Sequence, residues 1–216
     1  MPIAAVLFDF DGTLVDTRTA SWPLFAETSR EFDLGIETRE QFFALFEHNI
    51  YESLARHCGD AARAQAAAQH FLDLVRDHYA PPFIDGIDAV LDTLARERTL
   101  AILSSNHSGT VRRLLESGGV AAHFSHVYGG DMQPSKAAAI ADFLAGGWDG
   151  TGARRYDADE VVLVSDTSGD VAEARAAGIR ALGVAWGMHD AARLAAAGAA
   201  HVAHEPPEIL RWIAAA

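Results

Sequence analysis

The chain has 216 residues and a formal net charge of −13, with 30 Asp+Glu against 17 Lys+Arg, and half of its residues are apolar. That composition excludes wholesale disorder. It also disfavours broad contact with nucleic acid or an anionic membrane, which needs basic clusters. A local site can still oppose the global charge and take a small anion. The solitary lysine, Lys136, is the residue to follow for that reason. The single cysteine, Cys58, rules out an intrachain disulfide and a cysteine-based metal site. The first apolar run stops at Asp9, too early for a signal peptide, and no apolar stretch approaches the roughly 18 residues of a membrane span. A cytoplasmic protein is expected.

Ala5 to Phe8 is an apolar run without alternation, which reads as a strand buried on both faces. The next such run is Thr99 to Leu103. Between them, Ser21 to about Tyr79 reads as helical. Trp22, Phe25 and Phe32 pattern a first helix, and Phe42, Phe43 and Phe46 a second. Asp60 caps a long alanine-rich third helix carrying Leu72, Val75 and Tyr79. Pro81-Pro82 ends the block. Helical patterns over 87–96, 110–116, 135–144, 170–177, 190–196 and 207–213 then alternate with strands near 99–103, 126–128, 161–164, 181–184 and 201–202. Alternation of this kind predicts an α/β fold, a Rossmann-like parallel sheet flanked by helices. The expected organisation is a core of residues 1–15 and 83–216, with a small helical-bundle cap of residues 16–82 inserted after the first strand. Gly146 to Gly152, with Trp148, reads as a surface loop.

In an open parallel sheet the site lies beyond the carboxyl ends of the strands. Asp9 and Asp11 follow the first strand. Ser104, Ser105 and Asn106 follow the second. Lys136 opens the helix after the third, and Asp166, Thr167 and Asp170 follow the fourth. Singly, each has an ordinary structural reading: a turn acid, a helix cap, a solvated lysine. Together they form a chemical set. Several carboxylates in one cavity need a cation, and oxygen donors suit Mg²⁺ better than zinc. A magnesium ion beside a lysine suits a phosphoryl group. A carboxylate nucleophile forming an aspartyl-phosphate, with Asp11 as acid and base, is one route such a set supports.

Asp9-Phe10-Asp11-Gly12-Thr13-Leu14-Val15-Asp16, Ser104-Ser105-Asn106, Lys136 and Ser165-Asp166-Thr167-Ser168-Gly169-Asp170 carry a resemblance across the whole chain. The chain resembles the haloacid dehalogenase-like hydrolase superfamily, in its helical-cap, phosphoglycolate phosphatase-like branch. The resemblance implies Asp9 as nucleophile and Asp11 as general acid/base. It places Ser104 and Lys136 on the phosphate, with Ser105 and Asn106 beside them. It implies Mg²⁺ held by Asp9, the Asp11 carbonyl and Asp166, with Asp170 as a ligand or a support. Two positions depart from the usual pattern: Ser165 stands where glycine is common, and Ala137 follows the lysine where proline is common. The acid at Asp11 disfavours dehalogenation. The absence of lysine between Asp16 and Pro81 excludes a Schiff-base mechanism from the cap.

The expected function is Mg²⁺-dependent hydrolysis of a small-molecule phosphate ester. The alternatives are a sugar-phosphate mutase of the β-phosphoglucomutase type and a phosphoacceptor or non-catalytic interaction protein. Arg18 and His48, with Glu47, Asn49 and Tyr51, are candidate substrate contacts on the cap. His107, just beyond the phosphate loop, is a candidate for orienting cap or substrate. A monomer and a homodimer are both compatible with the chain.

Overall fold

The apolar run at the N-terminus forms β1 (Ala5–Phe8), all four residues of which are buried. The computed structural model describes residues 2–45, 50–147 and 154–216, with residues 50–52 and 76–77 described by backbone alone. The chain divides into two compact units, Met1–Asp16 with Phe83–Ala216, and Thr17–Pro82.

The second unit is helical. It holds α1 (Thr17–Glu31), α2 (Arg39–Ala44), α3 (Ile50–Cys58) and α4 (Ala61–His78). Three helices were expected here and four are described; the additional one is α3, which ends just before Gly59 with φ +64° and the Asp60 cap that opens α4. Asp60 accepts the amides of Ala62 and Arg63 at 2.9 and 3.2 Å, which is why α4 begins where the sequence suggests. The aromatic residues make this unit's core. Phe25 stacks on Phe42 with centroids 4.4 Å apart, and Phe71 meets both edge-on. Such a stacked pair is worth about 0.5–1.5 kcal/mol beyond its buried area.

The first unit is a six-stranded sheet. Besides β1 it contains β2 (Thr99–Leu103), β3 (Phe124–Tyr128), β4 (Val161–Ser165), β5 (Arg180–Val184) and β6 (His201–Ala203), in the order β3-β2-β1-β4-β5-β6. Every pairing is parallel. Around it run α5 (Ile87–Leu94), α6 (Ser108–Ser117), α7 (Lys136–Leu144), α8 (Ser168–Ala176), α9 (Ala191–Ala197) and α10 (Pro206–Ala215). Parallel strands need crossover connections, and the helices bury the sheet's residues. Leu7, Leu103, Leu163 and Val171 pack with Phe143 and Tyr156, whose rings stack at 5.2 Å.

The topology decides where a site falls. The chain leaves β1 for β2 and β3, then returns to place β4 on the other side of β1. The crevice at such a reversal, beyond the carboxyl ends of β1 and β4, is the ligand position of doubly wound sheets. Phe8 pairs with Val164, so Asp9 and Ser165–Asp166 emerge side by side.

Candidate active site

Asp9 leaves the end of β1 with its amide still bonded to the Val164 carbonyl at 2.9 Å, so the strand ladder fixes its backbone. Its Oδ1 accepts the Phe10 amide at 2.8 Å and lies 2.8 Å from Lys136 Nζ. Lys136 is the first residue of α7, whose cap is Ser135. Its ammonium also reaches Asp170 Oδ2 at 2.6 Å. The three side chains are only 8–11% exposed, so their charges interact with little screening by water.

Burial pushes the Asp9 carboxyl well up, and Asp170 and Asp166 add to the rise, while Lys136 opposes it. Burial alone would lower the Lys136 amine; Asp9 and Asp170 outweigh it and hold the ammonium firmly charged. Burial would raise Asp170, but Lys136 and the Ser165 hydroxyl hold it low. The lysine therefore keeps two buried carboxylates compatible.

Asp166 follows β4 and is almost wholly buried. Its Oδ1 accepts the Thr13 hydroxyl at 3.2 Å and its Oδ2 the Met188 amide at 2.7 Å. Burial still raises its carboxyl, with the Met188 bond acting the other way. Gly12 and Gly187 flank it, and a Cβ on either would run into the Asp166 side chain. Gly12 also has φ +78°, a conformation glycine adopts without strain. The Gly187–His189 segment was not anticipated. It carries no acid and contributes a missing Cβ and a backbone N–H; a glycine shortly after β5 was the available signal.

The β2 loop is set by its neighbours. The buried Ser104 Oγ accepts the Asn106 amide at 3.0 Å, and the Ser104 amide bonds the Tyr128 carbonyl at 2.9 Å. Asn106 Oδ1 accepts the His107 amide at 2.9 Å. His107 caps α6, its Nδ1 accepting from Gly109 at 3.1 Å. Ser105 is exposed, and its carbonyl lies against Gly130, where a Cβ would not fit. Beside Lys136 lies a cavity of about 230 Å³ lined by Ser104, Ser105, Tyr128, Gln133 and Ser135.

The first unit thus brings Asp9, Lys136 and Asp170 into direct contact, with Asp166 and Ser104 on neighbouring strand ends. Asp11 lies in the turn directly after β1, its backbone bridging to Val15. Arg18 belongs to the second unit, where its guanidinium lies 4.5 Å over the Phe43 ring. His48, Glu47, Asn49, Phe46 and Trp148 lie outside the described residues, as does the side chain of Tyr51.

The two departures noted in the sequence each carry a hydrogen bond. Ser165 Oγ donates to Asp170 Oδ2 at 2.5 Å, and the Ala137 amide, which a proline would lack, donates to Glu173 Oε2 at 2.7 Å.

A family model for haloacid dehalogenase-like hydrolases matches residues 6–184. The chain belongs to that family. It is 30% identical over 205 residues to the probable phosphatase IndB of Dickeya dadantii, covering 89% of this chain and 85% of that one. It is 29% identical over 217 residues to a phosphoglycolate phosphatase of Synechococcus elongatus, covering 97% and 96%. A haloacid dehalogenase-like family protein from Streptococcus pneumoniae shares the fold with a TM-score of 0.85 at 23% identity, over 97% and 98% of the two chains.

The haloacid dehalogenase-like set fits a hard divalent cation. Its side-chain donors are carboxylate oxygens, and two of them, on Asp9 and Asp166, are raised by burial and would be relieved by a positive ion. Among the described residues no three His, Cys, Asp or Glu side chains form a ready cage. Mg²⁺ suits that arrangement, because it takes one or two carboxylates and fills its shell with water and phosphate oxygens.

Proposed function

We propose that this protein is a Mg²⁺-dependent phosphomonoesterase that works on a small phosphorylated metabolite through an aspartyl-phosphate on Asp9. The observation that carries the reading is the Asp9–Lys136–Asp170 contact at the crevice between β1 and β4. An ammonium held against a carboxylate in a buried site is what a nucleophile needs when its target is itself an anion.

Asp9 Oδ1 is engaged by Lys136 and the Phe10 amide, which presents Oδ2 as the attacking oxygen. Attack forms the Oδ2–P bond and breaks the bond from phosphorus to the leaving oxygen. Asp11 gives that oxygen its proton and then takes one from the water that attacks phosphorus in the second step. That attack breaks the Oδ2–P bond, returning the Asp9 carboxylate and releasing phosphate. Lys136 offsets charge on both the carboxylate and the phosphoryl oxygens, and Ser104 with the amides that follow it orients the phosphoryl group. Asp9, Asp166 and the Asp11 carbonyl would hold Mg²⁺, with Asp170 supporting them, and the bound ion supplies charge neutralisation at the phosphoryl group.

The test is phosphate release from a panel of sugar phosphates, phosphoglycolate, nucleotides and an aryl phosphate. Release that stops with EDTA, returns with Mg²⁺ and is abolished by Asp9→Asn is expected. Full activity in Asp9→Asn, or isomerisation of a sugar phosphate outpacing hydrolysis, overturns the reading.

A further inference from the structure

Glu173 is an acid that the mechanism above leaves unused. It lies on α8 three residues beyond Asp170, so the two carboxylates share a helix face. Asp170 takes the ammonium of Lys136, and Glu173 takes the backbone N–H of Ala137 at 2.7 Å. Lys136 and Ala137 are the first two residues of α7. One helix therefore grips the start of another at successive residues, once by side chain and once by main chain.

The main-chain grip matters because the first N–H groups of a helix have no partner within it. In α7 the Ala138 amide goes to the Ser135 hydroxyl and the Ala139 amide to the Ser135 carbonyl. The Ala137 amide goes to Glu173. A carboxylate there also complements the positive end of the helix dipole. Without it the first residue of α7 loses an anchor, and that residue is Lys136. The ion pair with Asp170 does not replace the anchor, because lysine reaches its partner through a flexible four-carbon stem.

We propose that Glu173 is a positioning residue that holds the Lys136–Ala137 backbone so that the ammonium stays on Asp9. The inference rests on the reading of Asp9 and Lys136 as the reacting pair. It is tested with Glu173→Ala, Glu173→Gln and Glu173→Asp. Lys136 is the only lysine in the chain, so the rate of amine acylation at that one peptide, followed by mass spectrometry, reports its burial without catalysis.

In Glu173→Ala, Lys136 is expected to acylate several-fold faster, and kcat/KM for a phosphomonoester to fall on the order of tenfold. Gln keeps an acceptor oxygen at the same reach and restores most of both. Asp keeps the charge but falls short and behaves like Ala. Should the alanine variant not fold, the contrast between Gln and Asp decides. Unchanged acylation and kcat/KM in Glu173→Ala overturn the proposal, as does a glutamine variant as impaired as alanine. A wild-type protein that releases no phosphate from any ester sinks the phosphatase reading instead, while the acylation rates still decide whether Glu173 holds Lys136.

Discussion

Ser165 donates its hydroxyl to Asp170 at 2.5 Å from a position with no solvent exposure. The same oxygen accepts the Thr167 amide at 3.2 Å. Asp170 in turn holds Lys136, and Lys136 holds Asp9. A hydroxyl at the end of β4 is thus linked through two ion pairs to the carboxylate at the end of β1. Glycine at position 165 would leave the strand intact but break this chain at its first link.

Ser165→Ala removes a donor from a buried carboxylate and leaves the Thr167 amide without its acceptor. The cost of such a loss is about 1–3 kcal/mol. Urea unfolding should show it as a lowered midpoint with an unchanged slope. The kcat/KM should fall several-fold because Asp170 loses an orienting contact. A variant with wild-type midpoint and kinetics would show that Asp170 is held by Lys136 alone.

Lys136→Met has a double consequence. It removes the charge facing the nucleophile, and it leaves Asp9 and Asp170 buried without their counter-ion. Breaking a buried pair by deleting one partner costs about 3–5 kcal/mol. The loss of charge stabilisation at the reacting group is on the order of 10²–10³ in kcat/KM. Lys136→Arg should recover more stability than activity, since the planar fork restores charge but not the single-point geometry. Equal recovery of both would argue that charge alone is required.

The candidate site stood out in the sequence because each member sits at a break in hydrophobic pattern. Asp9, Ser104 and Asp166 each follow an apolar strand run, and Lys136 opens a helix behind a serine cap. What was not legible acts through the main chain or through absence. Met188 offers only an amide, and Gly187 only a missing Cβ. Glu173 and Asp131 carry no local signal, because the amides they accept lie 36 and 23 residues away in sequence. His107, a candidate for orienting cap or substrate, caps α6, a task more common for serine or asparagine. In the helical unit, the aromatic pattern marked α1 and α2 and the Asp60 cap marked α4, while α3 carried no separate signal.

Gly187→Ala tests whether Asp166 needs the room around it. The added methyl meets the Asp166 side chain, so the carboxylate must shift or the loop must move. Overpacking of this kind costs about 1–3 kcal/mol. Asp166 is proposed to hold Mg²⁺, so the half-saturating Mg²⁺ concentration should rise at least several-fold. The thermal shift produced by Mg²⁺ should shrink in parallel. An unaltered Mg²⁺ dependence would show that Asp166 tolerates displacement, and would count against its place in the metal site.

Asp131→Asn gives a stability effect with a defined pH direction. Asp131 Oδ1 accepts the Ser108 amide at 2.7 Å and its Oδ2 the Ser108 hydroxyl at 2.8 Å, which ties the loop after β3 to the start of α6. These bonds, the Ser108 amide first, hold the Asp131 carboxyl below its ordinary value in the folded chain. A group whose folded pKa lies below its unfolded pKa binds fewer protons when folded. Its contribution is fully present above the ordinary carboxylate range and is lost as pH falls through the folded value. The difference in stability between wild type and Asp131→Asn should therefore be constant near neutral pH and shrink below about pH 4. Urea midpoints measured on both proteins from pH 7 to pH 3 check this. A difference that stays constant to the acid limit would mean that the Asp131 charge contributes nothing.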